Sequence, residues 1–144
     1  MPSSDRILEF IRVMWSVDHE LHRVSKRMVE RIGLTAPQRL AVRFIGLHPD
    51  VTLGGLARLL HLHPGTVTGI VHHLETERLV GRTRGEEDTR QYYLRLTAKG
   101  RQVNLRHKGT VEAAVRRTAA ALSPAKMATA AAVMTALARC LAEE

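Results

Sequence analysis

Between residues 51 and 100 the spacing of apolar side chains switches from helical to strand-like and back, and few small folds accommodate that order. Leu53, Leu56, Ala57, Leu59 and Leu60 follow helical steps, with Thr52 where a capping side chain belongs. His61-Leu62-His63 reads as a turn, and Pro64 suits the first position of a second helix. There Val67, Ile70, Val71 and Leu74 form the apolar stripe, which leaves Thr66, Thr68, Gly69, His72 and His73 for the outer face. Two short strands follow, Val80-Gly81-Arg82-Thr83-Arg84 and residues 91–97. They flank a charged tip, Gly85-Glu86-Glu87-Asp88-Thr89-Arg90.

Two helices joined by a tight turn and followed by a basic hairpin form the layout of a winged helix-turn-helix. In that layout one helix enters the major groove while the hairpin tip reaches a neighbouring groove. The expected partner is therefore double-stranded DNA. On the second helix Gly65, Thr66, Thr68, Gly69, His72 and His73 are the candidate contacts. Threonine hydroxyls bond phosphates or base edges, threonine methyls touch thymine methyls, and the glycines allow close backbone approach. The helix start itself favours phosphate. No arginine or lysine lies between Pro64 and Leu74, so the bidentate arginine–guanine contact is missing and readout leans on hydroxyls, histidine and shape. In the hairpin the candidates are Arg82, Arg84, Asp88 and Arg90. An arginine suits a narrow, strongly negative minor groove, and Asp88 is placed to orient Arg90 through paired hydrogen bonds.

The flanking segments read as helices. Ile7, Phe10, Ile11, Met14, Trp15, Leu21, Val24, Met28 and Ile32 mark a long amphipathic helix over residues 5–32, stopped at Gly33. Its stripe is too long for a small domain to cover, which calls for a partner chain. Thr35-Ala36-Pro37-Gln38 has the form of a capping box opening a helix that runs to His48 and stops at Pro49. Thr97 caps a helix expected over residues 98–122, and Ser123-Pro124 restarts the chain as a last helix to about Ala142. Residues 111–141 are rich in alanine, which lets helices approach closely in a bundle between subunits. The expected fold is mainly α with a small β component (α+β), a winged helix-turn-helix with a two-stranded wing and long terminal dimerisation helices. Residues 35–97 form the DNA-binding lobe and residues 1–34 and 98–144 the dimerisation helices, in one compact chain without an independent second domain.

The 144 residues carry a net charge of +8, which suits a polyanion. Cys140 is the only cysteine, so no intramolecular disulfide and no Cys-pair zinc site exists, and its place beside Leu137 and Leu141 suggests a buried packing role. Asp5, Arg6, Glu9 and Arg12 break any signal-peptide apolar region, and the uncharged run over residues 127–138 is too short to span a bilayer. These features point to a cytoplasmic protein with no membrane partner. The histidines, His19 and His22 included, are dispersed, so no metal site and no cofactor is expected, although imidazole is the side chain suited to switching charge at physiological pH, and His72 and His73 give DNA affinity a route to pH dependence. Trp15, His19, Arg39 and Arg43 are the side chains that would stack on or pair with a small aromatic anion. Ser25, Cys140 and the histidines form no nucleophile–base–orienter pattern, and no Gly-rich phosphate loop is present, which argues against an enzyme.

Over nearly its whole length the chain resembles the MarR family (multiple antibiotic resistance regulators). The residues carrying the likeness are Leu34-Thr35 with Gln38, Thr66-Val67-Thr68, Leu74-Glu75, Leu79-Val80 with Arg82, Asp88-Thr89-Arg90, and Leu96-Thr97-Ala98-Lys99-Gly100. The resemblance implies a homodimer joined by its terminal helices, each subunit offering one winged helix-turn-helix. It implies a repressor, less often an activator, that binds an inverted-repeat operator and is often relieved by a small anionic aromatic compound. It places Thr66, Thr68, Gly69 and His72 towards bases or phosphates, Arg90 at the wing tip and Asp88 as its orienting carboxylate. Gly69 departs from a frequent basic residue, His72-His73 from an Asp-Arg pair, and Arg78 from a glycine at the turn into the hairpin. Two alternatives stay open: a metal- or redox-gated regulator on the same fold, and a sequence-neutral architectural DNA binder.

Overall fold

Local capping chemistry sets most of the element boundaries. The computed structural model describes residue 1 and residues 3–144. Helix α1 (Ser4–Ile32) ends where Gly33 turns left-handed at φ 72°, sending its N–H back to the Val29 carbonyl at 2.9 Å. Thr35 and Gln38 form a reciprocal capping box that opens α2 (Ala36–Leu47). Asp50 (φ 66°) turns the chain into β1 (Val51–Thr52), and the Thr52 hydroxyl oxygen accepts from Gly55 N at 3.0 Å to start α3 (Leu53–Leu60). Then come α4 (Pro64–Thr76), β2 (Val80–Arg84), β3 (Tyr92–Leu96) and α5 (Ala98–Asn104), the last capped by the Thr97 side chain.

The sheet has three strands, in the order β1-β3-β2, all antiparallel. The sequence suggests a two-stranded wing; β1 is two residues long, too short to show alternation, and joins by pairing Val51 with Leu94 and Thr52 with Tyr93. In the hairpin Val80 pairs with Leu96 and Arg84 with Tyr92. The core lies where α2, α3 and α4 meet β2 and β3, and includes Leu34, Val42, Ile45, Leu56, Val67, Val71, Leu74 and Leu94. Each buried aliphatic side chain of this kind contributes about 1.5–3 kcal/mol.

The helix expected over residues 98–122 is broken. α5 stops at Asn104, residues 105–110 form a loop, and α6 (Val111–Ala120) begins after Gly109 has turned left-handed at φ 76°. The buried Arg39 guanidinium meets the last turn of α5, donating to the Val103 carbonyl at 2.6 Å and the Asn104 carbonyl at 3.0 Å. An arginine there satisfies carbonyls that a continuing helix would have used internally.

The chain divides into two compact units, residues 1–110 and 111–144. The first holds α1 to α5 and the whole sheet, so α5 belongs with the winged lobe. The second holds α6 and α7 (Pro124–Glu143), the latter started by Ser123, whose hydroxyl oxygen accepts from Lys126 N at 3.3 Å. Neither α6 nor α7 has a buried residue, and Cys140 is exposed rather than packed away. At 20 residues and a mean hydropathy of 1.3, α7 does reach the length and apolarity of a minimal bilayer span, contrary to the reading of its uncharged stretch alone. Its apolarity is largely alanine, and Lys126, Arg139 and Glu143 interrupt it.

Asp50 and Arg95 clasp each other across the fold, Arg95 Nε donating to Asp50 Oδ1 at 2.5 Å and Nη2 to Oδ2 at 2.7 Å. This ties β3 to the turn after α2. The hydrogen bonds from Arg95 hold the Asp50 carboxyl below its ordinary range, outweighing desolvation, which raises it, with a lesser lowering from the Arg95 charge. A carboxyl depressed on folding stabilises the fold above its unfolded pKa, about 3.9, and that stability is lost as pH falls through the depressed folded value. Asp50→Asn keeps a residue tolerant of φ 66° and removes the charge together with one of the two oxygens that accept from Arg95. The variant is expected to be less stable than the parent at neutral pH and to converge with it as the solution is acidified below about pH 4, read from urea midpoints across pH.

Gly100 is the tightest backbone approach at the base of the hairpin. A Cβ on it would lie 2.0 Å from the Leu79 carbonyl oxygen, which accepts from Thr97 N at 3.0 Å. Gly100→Ala must push α5 off the entry to β2. Urea unfolding is expected to show a loss of about 1–3 kcal/mol.

Candidate nucleic-acid interface

Helix α4 buries one face and presents the other. Val67, Ile70, Val71 and Leu74 are buried, while Gly65, Thr66, Thr68, Gly69 and His72 are exposed. A Cβ at Gly69 would meet nothing within 4 Å, so this glycine leaves an open, low patch in the middle of the exposed face. The Thr68 hydroxyl donates to the Pro64 carbonyl at 2.9 Å. Its proton is engaged, so Thr68 offers an incoming surface its lone pairs and its methyl group.

Two histidines behave differently from the sequence expectation. His73 is half-buried and turned off the outer face, with a buried Nε2 that has no hydrogen-bond partner among the described residues. Its place, three residues after Ile70, is the edge of the apolar stripe. His63, by contrast, has a capping role that the sequence reading missed. Its Nδ1 accepts from Gly65 N at 3.0 Å and caps α4 at the end that would meet phosphate. Accepting that bond requires an unprotonated Nδ1. The signal in sequence was weak, because histidine is not among the favoured capping residues.

The wing arginines have separate tasks. Arg82 turns back to Glu75 on α4, its Nε donating to Glu75 Oε1. It therefore braces wing against helix rather than reaching outward as expected. A partly exposed pair of this kind contributes only about 0.2–1 kcal/mol, so its importance is in the angle it sets. Arg84 Nε donates to the Thr89 carbonyl at 2.6 Å, and its guanidinium carbon sits 5.9 Å from the centre of the Tyr92 ring, closing the tip from one side. The loop is tight: Gly85 N donates to Gln91 O at 2.8 Å and Gln91 N to Asp88 O at 3.0 Å. A Cβ on Gly85 would lie 2.6 Å from the Asp88 carbonyl oxygen.

Asp88 orients Arg90, but not through two parallel bonds. One carboxylate oxygen, Oδ1, accepts from both the Arg90 backbone N at 3.0 Å and its Nε at 3.3 Å. The Arg90 side chain is 91% exposed, with the Nη groups beyond this contact. Arg78, at the turn into β2, has φ 59°, the left-handed conformation that glycine adopts most readily. Across residues 35–97 eight arginines face six carboxylates, so this lobe supplies little of the net charge of +8.

The four side chains proposed for a small aromatic anion are not brought together. Arg39 is buried against α5, and Arg43 Nη1 donates to Asn104 Oδ1 at 2.9 Å. Trp15 is 66% exposed on α1 and His19 is exposed one turn further on. A shallow cleft of about 390 Å³ does exist, lined by His48, Pro49, Asp50, Val51, Gly55, Arg58 and Leu59, and it includes none of the four. No group of three or more His, Cys, Asp or Glu positioned to hold a metal ion occurs among the described residues.

Known proteins resemble this geometry. Residues 32–91 match a family model described as MarR family. The organic hydroperoxide resistance transcriptional regulator of Bacillus subtilis (strain 168) is 28% identical over 88 residues, 61% of this chain and 60% of that protein. Among solved structures, an S. aureus MepR–DNA complex matches with a TM-score of 0.74 at 19% identity, covering 92% of this chain and 97% of that one. Streptococcus pneumoniae FabT in complex with DNA matches with a TM-score of 0.68 at 26% identity, covering 98% and 99%. The likeness to MepR is one of fold.

Proposed function

The chain belongs to the MarR family, whose model its residues 32–91 match, and from that premise we propose that it is a homodimeric transcription regulator that binds an inverted-repeat operator in the cytoplasm. The observation that carries this reading is the exposed face of α4, where Gly65, Thr66, Thr68, Gly69 and His72 stand over a wholly buried stripe. The exposed Arg90 at the wing tip is the second contact. In this reading α4 enters the major groove with its capped start nearest the phosphates, and Arg90 follows the adjacent minor groove. FabT, at 26% identity, was crystallised in complex with DNA, as was MepR, which shares the fold. Repression follows from covering the operator.

A second copy is supported by α1. Ile7, Phe10, Val13, Val17 and Leu21 are all exposed and follow helical spacing along one side of α1, an apolar stripe that a lone chain leaves in water. Dimerisation sets two α4 helices against half-sites roughly 34 Å apart. Since Trp15, His19, Arg39 and Arg43 do not converge, the reading rests on DNA and includes no effector.

Selection of bound duplexes from a random library is expected to enrich an inverted repeat with half-sites about one helical turn apart. Retention without a shared motif would favour the architectural reading, which the absence of a cation from the outer face of α4 keeps in view. Arg90→Ala is expected to weaken operator binding by about 1–3 kcal/mol, roughly 5- to 150-fold in a titration. Unchanged affinity would remove the wing tip from the mechanism.

Sedimentation is expected to give a particle of twice the 16.1 kDa chain mass. Phe10→Glu, on the exposed face of α1, is expected to shift it towards monomer and to weaken operator binding in parallel. A monomeric parent protein would overturn the dimer.

A further inference from the structure

The positive charge of this chain is concentrated outside the recognition helix and the wing. Residues 98–108 hold Lys99, Arg101, Arg106 and Lys108 and no carboxylate. Two of these anchor one edge of the surface to the base of the wing: Lys99 Nζ donates to the Glu77 carbonyl at 2.9 Å and Arg101 Nη1 to the Leu96 carbonyl at 3.2 Å. The other edge is the last turn of α1. Arg31 lies against the 105–110 loop so closely that a Cβ on Gly109 would come within 2.7 Å of its Nη1. Arg27 stands one helical turn back along α1, and Glu30 is the acid within that stretch. Among the described residues none of Arg27, Arg31, Arg106 or Lys108 is ion-paired, and all four are exposed.

Two bland explanations fall short. Cations often gather at a helix C-terminus to meet its free carbonyls, but Arg39 already donates to those of Val103 and Asn104. A solvating surface accounts for the cations, but not for the placing of Leu105 between Arg101 and Arg106, at 74% the most exposed large hydrophobic side chain after Met1 among the described residues. The surface is also remote from the wing tip. Five-residue strands at about 3.3 Å per residue put the tip roughly 16 Å from the base. Phosphates would pair with cations of this kind, but a duplex offers Leu105 no apolar surface to cover it.

We propose that Arg27, Arg31, Arg106 and Lys108, with Leu105 as an apolar anchor, form a docking surface for an acidic protein segment, separate from the DNA contacts. Carboxylates of the partner meet the four cations, and an apolar side chain covers Leu105. Such rim charges steer association and set its salt dependence, while the apolar anchor slows release.

The test uses a short fluorescein-labelled glutamate peptide with one central leucine, and an all-glutamate peptide of equal length, titrated with the full chain by anisotropy. The leucine peptide is expected to bind more tightly than the all-glutamate peptide. The double variant R106E/K108E is expected to weaken it at least about tenfold, and Leu105→Ser to reduce it to the level of the all-glutamate peptide. Both substitutions are on exposed side chains, and R106Q/K108Q, expected to weaken binding by a smaller factor, serves should charge reversal impair folding. Operator affinity should keep its salt slope in these variants. Equal peptide binding by parent and variants overturns the proposal. So does a salt slope for duplex binding reduced by about one per cation removed, which would make this surface a phosphate contact.

Discussion

The buried guanidinium of Arg39 is the constraint through which the winged lobe is assembled. At 2% exposure it sits where α2 crosses the end of α5 and donates to the Val103 and Asn104 carbonyls. A buried charge is destabilising unless its hydrogen bonds are met, and the carbonyl end of a helix is a favourable place to meet them. Fixing the end of α5 also fixes its start. That brings Gly100 onto the Leu79 carbonyl and Thr97 under Arg78, whose carbonyl accepts from the Thr97 hydroxyl at 2.6 Å. The strands of the wing leave from these same residues, so the angle of the wing is inherited from an arginine far from its tip.

What was legible in the sequence is what is settled within four residues along the chain. The box formed by Thr35 and Gln38, the caps at Thr52, Thr97 and Ser123, and the stop at Gly33 each need only their near neighbours. The buried stripe of α4 follows from helical spacing. Contacts between residues far apart in sequence were not legible: Arg95 with Asp50, Arg82 with Glu75, and Arg39 and Arg43 with the end of α5. They explain why Arg82 was assigned to DNA and Arg39 to a ligand. An exposed-looking arginine in sequence carries no mark of the acceptor that will claim it. The break at residues 105–110 is of the same kind, because the helical pattern runs on while Arg39 and Gly109 end the helix. β1 was invisible because two residues hold no period.

Once those pairs are removed, the wing resolves into a brace and a probe. Arg82 ties it to α4, Arg84 closes the loop across Thr89 and Tyr92, and Asp88 steadies the first part of the Arg90 side chain. Only Arg90 then extends beyond the framework. The arrangement restricts a long flexible side chain before it meets a groove, which reduces the entropy lost on binding.

The recognition helix makes the opposite trade. Gly65 and Gly69 each weaken a helix by roughly 1 kcal/mol relative to alanine, and histidine is an indifferent cap. Its local sequence alone would make α4 a poor helix. The four buried residues Val67, Ile70, Val71 and Leu74 more than offset this, since burial of each contributes about 1.5–3 kcal/mol. With stability drawn from the inner face, the outer face is free of the need for strong helix formers. It can stay low and uncharged, letting backbone and threonine methyls come near a groove floor that bulky cations would hold away. In the proposed reading, discrimination by such a surface comes from fit and from the deformability of the duplex more than from paired hydrogen bonds, and the long-range attraction that brings DNA to it is supplied by positive charge elsewhere on the chain.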